Sequence, residues 1–119
     1  MAITGAHVLL FTPAAEELRA LLRDAIGWEH VDDGGGWLIF ALPPAELGVH
    51  PSEGGTQHEL SLMCDDIAAT KAELEAKGVE FRGDPQDLGF GTGAAMVLPG
   101  GAEVLLYEPR HAKAVAPGS

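Results

Sequence analysis

His58-Glu59-Leu60-Ser61-Leu62-Met63-Cys64-Asp65-Asp66 is the stretch that decides how this chain is read. The run Glu59 to Cys64 has the length and apolar character of a strand. The two aspartates that follow are residues that cap a helix by accepting from its first free N–H groups. The helix predicted beyond them carries Ile67, Thr70 and Leu74 on one face and Glu73 with Lys77 as an i,i+4 pair, and Gly78 ends it. Three strands are predicted next, at Val79 to Arg82, Ala94 to Leu98 and Glu103 to Tyr107, the last two joined by the turn Pro99-Gly100-Gly101.

The same order precedes it. Ala6 to Phe11 reads as a buried strand, and Thr12-Pro13 opens a helix whose Leu18, Leu21, Leu22 and Ala25 fall at i, i+3, i+4 and i+7. Gly27 stops that helix. Strands are predicted at Trp28 to Val31, Trp37 to Leu42 and Glu46 to His50, separated by the turn Asp32-Asp33-Gly34-Gly35 and the break Pro43-Pro44. A pattern that recurs once, at a spacing too long for most solenoids, describes two like modules packed together. The expected architecture is one α+β domain over residues 1–119, with module one at 4–50, a linker at 51–57 and module two at 58–109.

A chain of 119 residues with 46% hydrophobic residues can bury one core. No run approaches the roughly 20 apolar residues of a membrane helix, and the N-terminus lacks the layout of a signal peptide. The expectation is a cytoplasmic protein with no membrane partner. Cys64 is the single cysteine, which excludes an internal disulfide and a thiolate metal cluster. A net charge of −11 repels a phosphate backbone, so no nucleic-acid partner is expected. Gly89-Phe90-Gly91-Thr92-Gly93 precedes a strand, where no helix N-terminus can receive a pyrophosphate, and reads as a mobile rim loop.

The duplicated strand-helix-three-strand order covers nearly the whole chain. With His7 in the first strand, His58 to Asp66 opening the second module and Leu106-Tyr107-Glu108-Pro109-Arg110-His111 closing it, the chain resembles the vicinal oxygen chelate superfamily, the group of glyoxalases, bleomycin-resistance proteins and extradiol dioxygenases. The likeness is to a bacterial branch often labelled glyoxalase-like or dioxygenase-like. The resemblance implies two βαβββ modules whose curved mixed sheets form a cup, a cavity for a small molecule, and a homodimer. It also implies that a divalent metal, Fe, Mn, Ni or Zn, can sit at the cup floor, held by His, Glu or Gln, where it would stabilise developing negative oxygen.

Strand alternation assigns the faces on that frame. Val8 and Leu10 are expected beneath the helix, with His7, Leu9 and Phe11 toward the cup; Leu60, Leu62 and Cys64 pack inward, with Glu59, Ser61 and Met63 toward the cup. His7 matches the first ligand slot, Glu59 the slot where relatives usually carry His, and His50, or alternatively Glu46, supplies a third donor. In the last strand, the slot where metal-dependent members place Glu holds Leu105. That departure counts against a glyoxalase-type proton transfer through a metal-bound carboxylate. Phe11, Trp37, Ser61, Met63, Leu105 and Tyr107 are the expected cavity lining, with the Tyr107 hydroxyl able to donate to a ligand; Arg110 and His111 are expected to bridge the surface. No catalytic residue is assigned. Two readings stand: a metal-dependent lyase, isomerase or dioxygenase acting on a small oxygenated molecule, and a metal-free module that binds a small molecule or drug.

Overall fold

Asp66 has an extended backbone, and its carboxylate accepts from the Ala69 N–H at 3.0 Å, which starts helix α2 at Ile67–Ala76. These features come from a computed structural model that describes residues 7–114. A second acceptor reaches the same helix end from far along the chain: Glu108 Oε1 takes the Ile67 N–H at 3.0 Å. Glu73 and Lys77 pair at 3.6 Å, as their spacing predicts.

Around α2 the second half forms a four-stranded sheet. Strands β3 (Ser61–Met63), β4 (Glu80–Asp87), β5 (Gly91–Val97) and β6 (Glu103–Pro109) lie in the order β3-β6-β5-β4, with β3 parallel to β6 and the other pairs antiparallel. The turn after β5 closes with Gly101 N–H donating to Leu98 O at 2.9 Å.

Two expectations change here. β4 continues past Arg82 to Asp87, and its register with β5 shifts between Arg82 and Gln86, where Gly83 takes a φ of 81°. Gly83 and Pro85 look like strand breakers in sequence, yet they are accommodated in a bulge. The Gly-rich stretch is not a rim loop throughout: the turn is Leu88 to Phe90, closed by Leu88 N–H to Gly91 O at 2.8 Å, and Gly91 onward is strand.

Alternation along β6 divides the sheet into two faces. Val104 and Leu106 are buried with Met96, which is 1% exposed, and with Ile67, Val79 and Leu98. Leu18 and Ala25 from the first half join the same core, so both helical segments cover one side of this sheet. Leu105 and Tyr107 point to the opposite side.

The first half is less complete. Helix α1 (Ala15–Leu21) runs into a π turn (Leu22–Ile26) that ends at Gly27, and its entry is held by Ala14 N–H donating to Thr12 Oγ1 at 3.2 Å. Thr12 lies against the Pro99–Gly101 turn so closely that a Cβ on Gly100 would overlap its hydroxyl. A hairpin follows, β1 (His30–Asp32) with β2 (Leu38–Phe40), as a separate two-stranded sheet.

The strands expected at Ala6 to Phe11 and Glu46 to His50 do not form among the described residues, and Ala6 lies outside them. The expected burial of Val8 and Leu10 fails there too, since both are exposed along with Leu9, and Phe11 is 90% exposed. A strand needs backbone partners and a cover for one face. Among the described residues, no strand pairs with residues 7–11. Among the described residues no helix is long and apolar enough to cross a membrane.

Candidate functional site

The uncovered face of the four-stranded sheet is the floor of an open cup. Register places Leu105 between Ser61 of β3 and Ala95 of β5, and Tyr107 between Met63 and Gly93. Gly93 is needed there. A Cβ on it would stand 2.6 Å from Leu106 O and 2.7 Å from Tyr107 Cβ, so only glycine lets β5 pass beneath the tyrosine. Phe90 meets the Tyr107 ring edge-on, with centroids 5.3 Å apart at 86°. Trp28 and most of the irregular chain from Leu42 to Gln57 also border this space. The space these residues border continues past the sheet to Thr70, Glu73, Leu74 and Lys77 of α2 and totals about 1810 Å³, larger than the ~300–1,000 Å³ of a typical ligand pocket, and it is open to solvent.

Of the residues expected to line the cavity, Ser61, Met63, Leu105 and Tyr107 do. Phe11 and Trp37 do not. Phe11 projects into solvent, and Trp37, 63% exposed, lies under the Arg19 guanidinium at 4.8 Å from its ring centroid. The indole in the cup wall is Trp28 instead.

The donors expected for a metal are not brought together. Glu46, His50 and Glu59 border the cup, while His7 lies outside it with an exposed side chain. Among the described residues no three His, Cys, Asp or Glu side chains form a group that could hold a metal ion. With Leu105 on the floor, these residues do not fit the cation that the resemblance implies.

What does assemble is a polar cluster that the sequence reading assigned otherwise. The Tyr107 hydroxyl is 2.9 Å from His111 Nε2, and the other ring nitrogen, Nδ1, is 2.8 Å from Ala112 O. Glu46 completes it: Oε1 is 3.9 Å from His111 Nδ1, and Oε2 accepts the Ala114 N–H at 2.7 Å. Burial, and then the nearby Glu46 carboxylate, push the Tyr107 phenol above its ordinary pKa, so the ring is a neutral phenol at physiological pH. Burial likewise raises the Cys64 thiol, which keeps it from acting as a thiolate.

The missed signal is one of parity. His111 shares odd numbering with Leu105 and Tyr107, so continuing the β6 alternation by one step places it on the cup side. Arg110, by contrast, does bridge the surface, pairing with Asp87 and donating to Thr92 Oγ1 at 2.9 Å. The Gly89 N–H and then that guanidinium hold the Asp87 carboxyl below its usual range.

This geometry, a sheet with helices on one face and an open cup on the other, accompanies a match over residues 4–111 to the Glyoxalase/Bleomycin resistance protein/Dioxygenase superfamily. The chain belongs to that superfamily. The vicinal oxygen chelate resemblance read from the sequence therefore holds.

Among solved structures the chain is similar to TnmS3, an antibiotic binding protein from Streptomyces sp. CB03234, at 26% identity and a TM-score of 0.62 over 91% of this chain and 99% of that one. Two further superfamily structures share the fold. One is a glyoxalase/bleomycin resistance protein from the same Streptomyces strain, with 24% identity and a TM-score of 0.56 over 82% of this chain and 93% of that one. The other is from Sphaerobacter thermophilus, with 20% identity and a TM-score of 0.61 over 89% and 98%. No curated protein matches the sequence.

Proposed function

We propose that the cup binds a small, mainly apolar aromatic molecule through shape and ring packing, without a metal-dependent step. The observation that carries this reading is the floor itself: Leu105, at the position where the resemblance implies a metal-binding carboxylate, borders the cup together with Met63, Tyr107 and Phe90. Such a surface offers dispersion contact and aromatic edges and faces to an apolar ring. The likeness to an antibiotic binding protein points the same way.

Pairing with a second copy belongs to this reading. Leu9, Phe11, Val31, Leu47 and Val49 are large apolar side chains left open to water on the first half, and a two-fold partner is the economical cover for them. Sedimentation equilibrium should give twice the chain mass at micromolar concentration; a concentration-independent monomer would overturn the pairing alone.

The binding itself is tested by equilibrium dialysis of 2-methoxynaphthalene against untagged protein before and after treatment with a chelator. Saturable binding that survives chelation supports the proposal. Near-stoichiometric Fe, Mn, Ni or Zn in the untreated protein, with binding lost on its removal, would overturn it in favour of a metal-dependent lyase, isomerase or dioxygenase.

A further inference from the structure

The Tyr107–His111–Glu46 cluster gives the cup a direction of hydrogen bonding. Ala112 O is a carbonyl and can only accept, so the hydrogen on His111 lies on Nδ1, 2.8 Å away. The Glu46 carboxylate 3.9 Å from the same nitrogen favours that tautomer. In the neutral ring Nε2 is then a bare acceptor. The 2.9 Å contact with it must carry the Tyr107 hydrogen.

A phenol has one hydrogen to give. With it committed to His111, the Tyr107 oxygen presents lone pairs, and a donor bound to it is strengthened by the hydrogen bonds aligned behind it. We infer that the cup selects neutral aromatic molecules bearing a hydroxyl, with Tyr107 as the acceptor of that hydroxyl and His111 and Glu46 as the residues that fix its polarity. This rests on the reading of the cup as an aromatic-binding site and adds the polar group that the ligand must carry. It also reverses the expectation that Tyr107 donates.

The selection has a second side. Glu46 contributes a negative charge to the cluster, in a chain of net charge −11, so an anionic ligand meets repulsion where a neutral hydroxyl finds an acceptor. Three probes of one ring size separate these effects: 2-naphthol offers a donor, 2-methoxynaphthalene only an acceptor, and 2-naphthoate a charge.

Equilibrium dialysis of the full chain with each probe is the test. The expected order of affinity is naphthol, then methoxynaphthalene, then naphthoate, with naphthol ahead of its ether by roughly three- to tenfold, the worth of one hydrogen bond. In Tyr107→Phe that ratio should fall to about one, because the ring remains and the acceptor is gone. In His111→Ala the phenol regains its hydrogen for the ligand, and the ether should gain on naphthol relative to the unaltered protein. Equal binding of naphthol and its ether, or the same ratio in Tyr107→Phe, would overturn the inference while leaving the aromatic cup intact. Failure of both neutral probes to bind would instead overturn the cup reading on which it rests.

Discussion

β6 has a strand on each side and a helical layer on one face, whereas residues 7–11, no less apolar, have neither among the described residues and lie open to solvent. The contrast shows that an apolar run becomes a strand only where backbone partners and a covering surface are available together. Sequence propensity supplies neither. In the second half α2, capped by Asp66 and by Glu108 from β6, stays against the sheet and closes the core over Met96. In the first half α1 packs on that same core, and the strands that form among the described residues are a lone hairpin of three paired residues on each side.

The sharpest way to break this comparison is to remove equivalent apolar groups from the two halves. Met96→Ala should cost about 2–5 kcal/mol in denaturant unfolding, the range for a large core residue. Leu9→Ala, at a side chain 64% exposed in the single chain, should change stability by no more than about 0.5 kcal/mol at concentrations where the chain is monomeric. Comparable losses at monomeric concentrations would break the contrast, whereas a loss at Leu9 that appears only as concentration rises would report a second copy covering residues 7–11.

A smaller effect is expected on the cup side of the second half. Gly93→Ala drives a methyl into Leu106 O and Tyr107 Cβ, both within 2.7 Å of it, and the backbone oxygen cannot turn aside. The variant should lose about 1–3 kcal/mol, as overpacked sites do. It should also weaken probe binding by displacing Tyr107. Wild-type stability would show that β5 is not held as close to β6 as the register requires.

Much of the second half was legible because its signals are local. The Asp66 cap, the Glu73–Lys77 pair, the Pro99–Gly101 turn and the alternation that sends Leu105 toward the cup all depend on residues within a few positions of each other. The unread features are those that distance creates. Glu108 caps a helix 41 residues earlier, and Glu46, in the irregular Leu42 to Gln57 segment that borders the cup, meets His111 from far away in the sequence. Trp28 and Trp37 are alike in composition, and which one reaches the cup depends on where α1 ends and on Arg19 covering the other indole.

The smallest effect concerns proton affinity at the join between the halves. Tyr107 is the single tyrosine of the chain, so absorbance at 295 nm titrates it alone. Its midpoint should lie above the ordinary value of about 10, and Glu46→Gln should lower it by removing the neighbouring charge. A folded-state pKa raised above the unfolded one stabilises the protein below the unfolded pKa, and that contribution is lost as pH rises through the folded value. The alkaline loss should therefore begin above about pH 10 and be absent in Tyr107→Phe. An ordinary midpoint, unmoved by Glu46→Gln, would separate the first-half carboxylate from the second-half cup.

The central claim, that the cup over the second-half sheet is where a small aromatic molecule binds, is tested most directly at its floor by Leu105→Trp. The substitution fills the cup from a position that faces it and leaves the buried Val104 and Leu106 in place. Dialysis of 2-naphthol against this variant should show binding weakened by about tenfold or more, with a thermal midpoint close to that of the unaltered protein. Undiminished binding in a folded Leu105→Trp protein would place the ligand elsewhere and contradict the account.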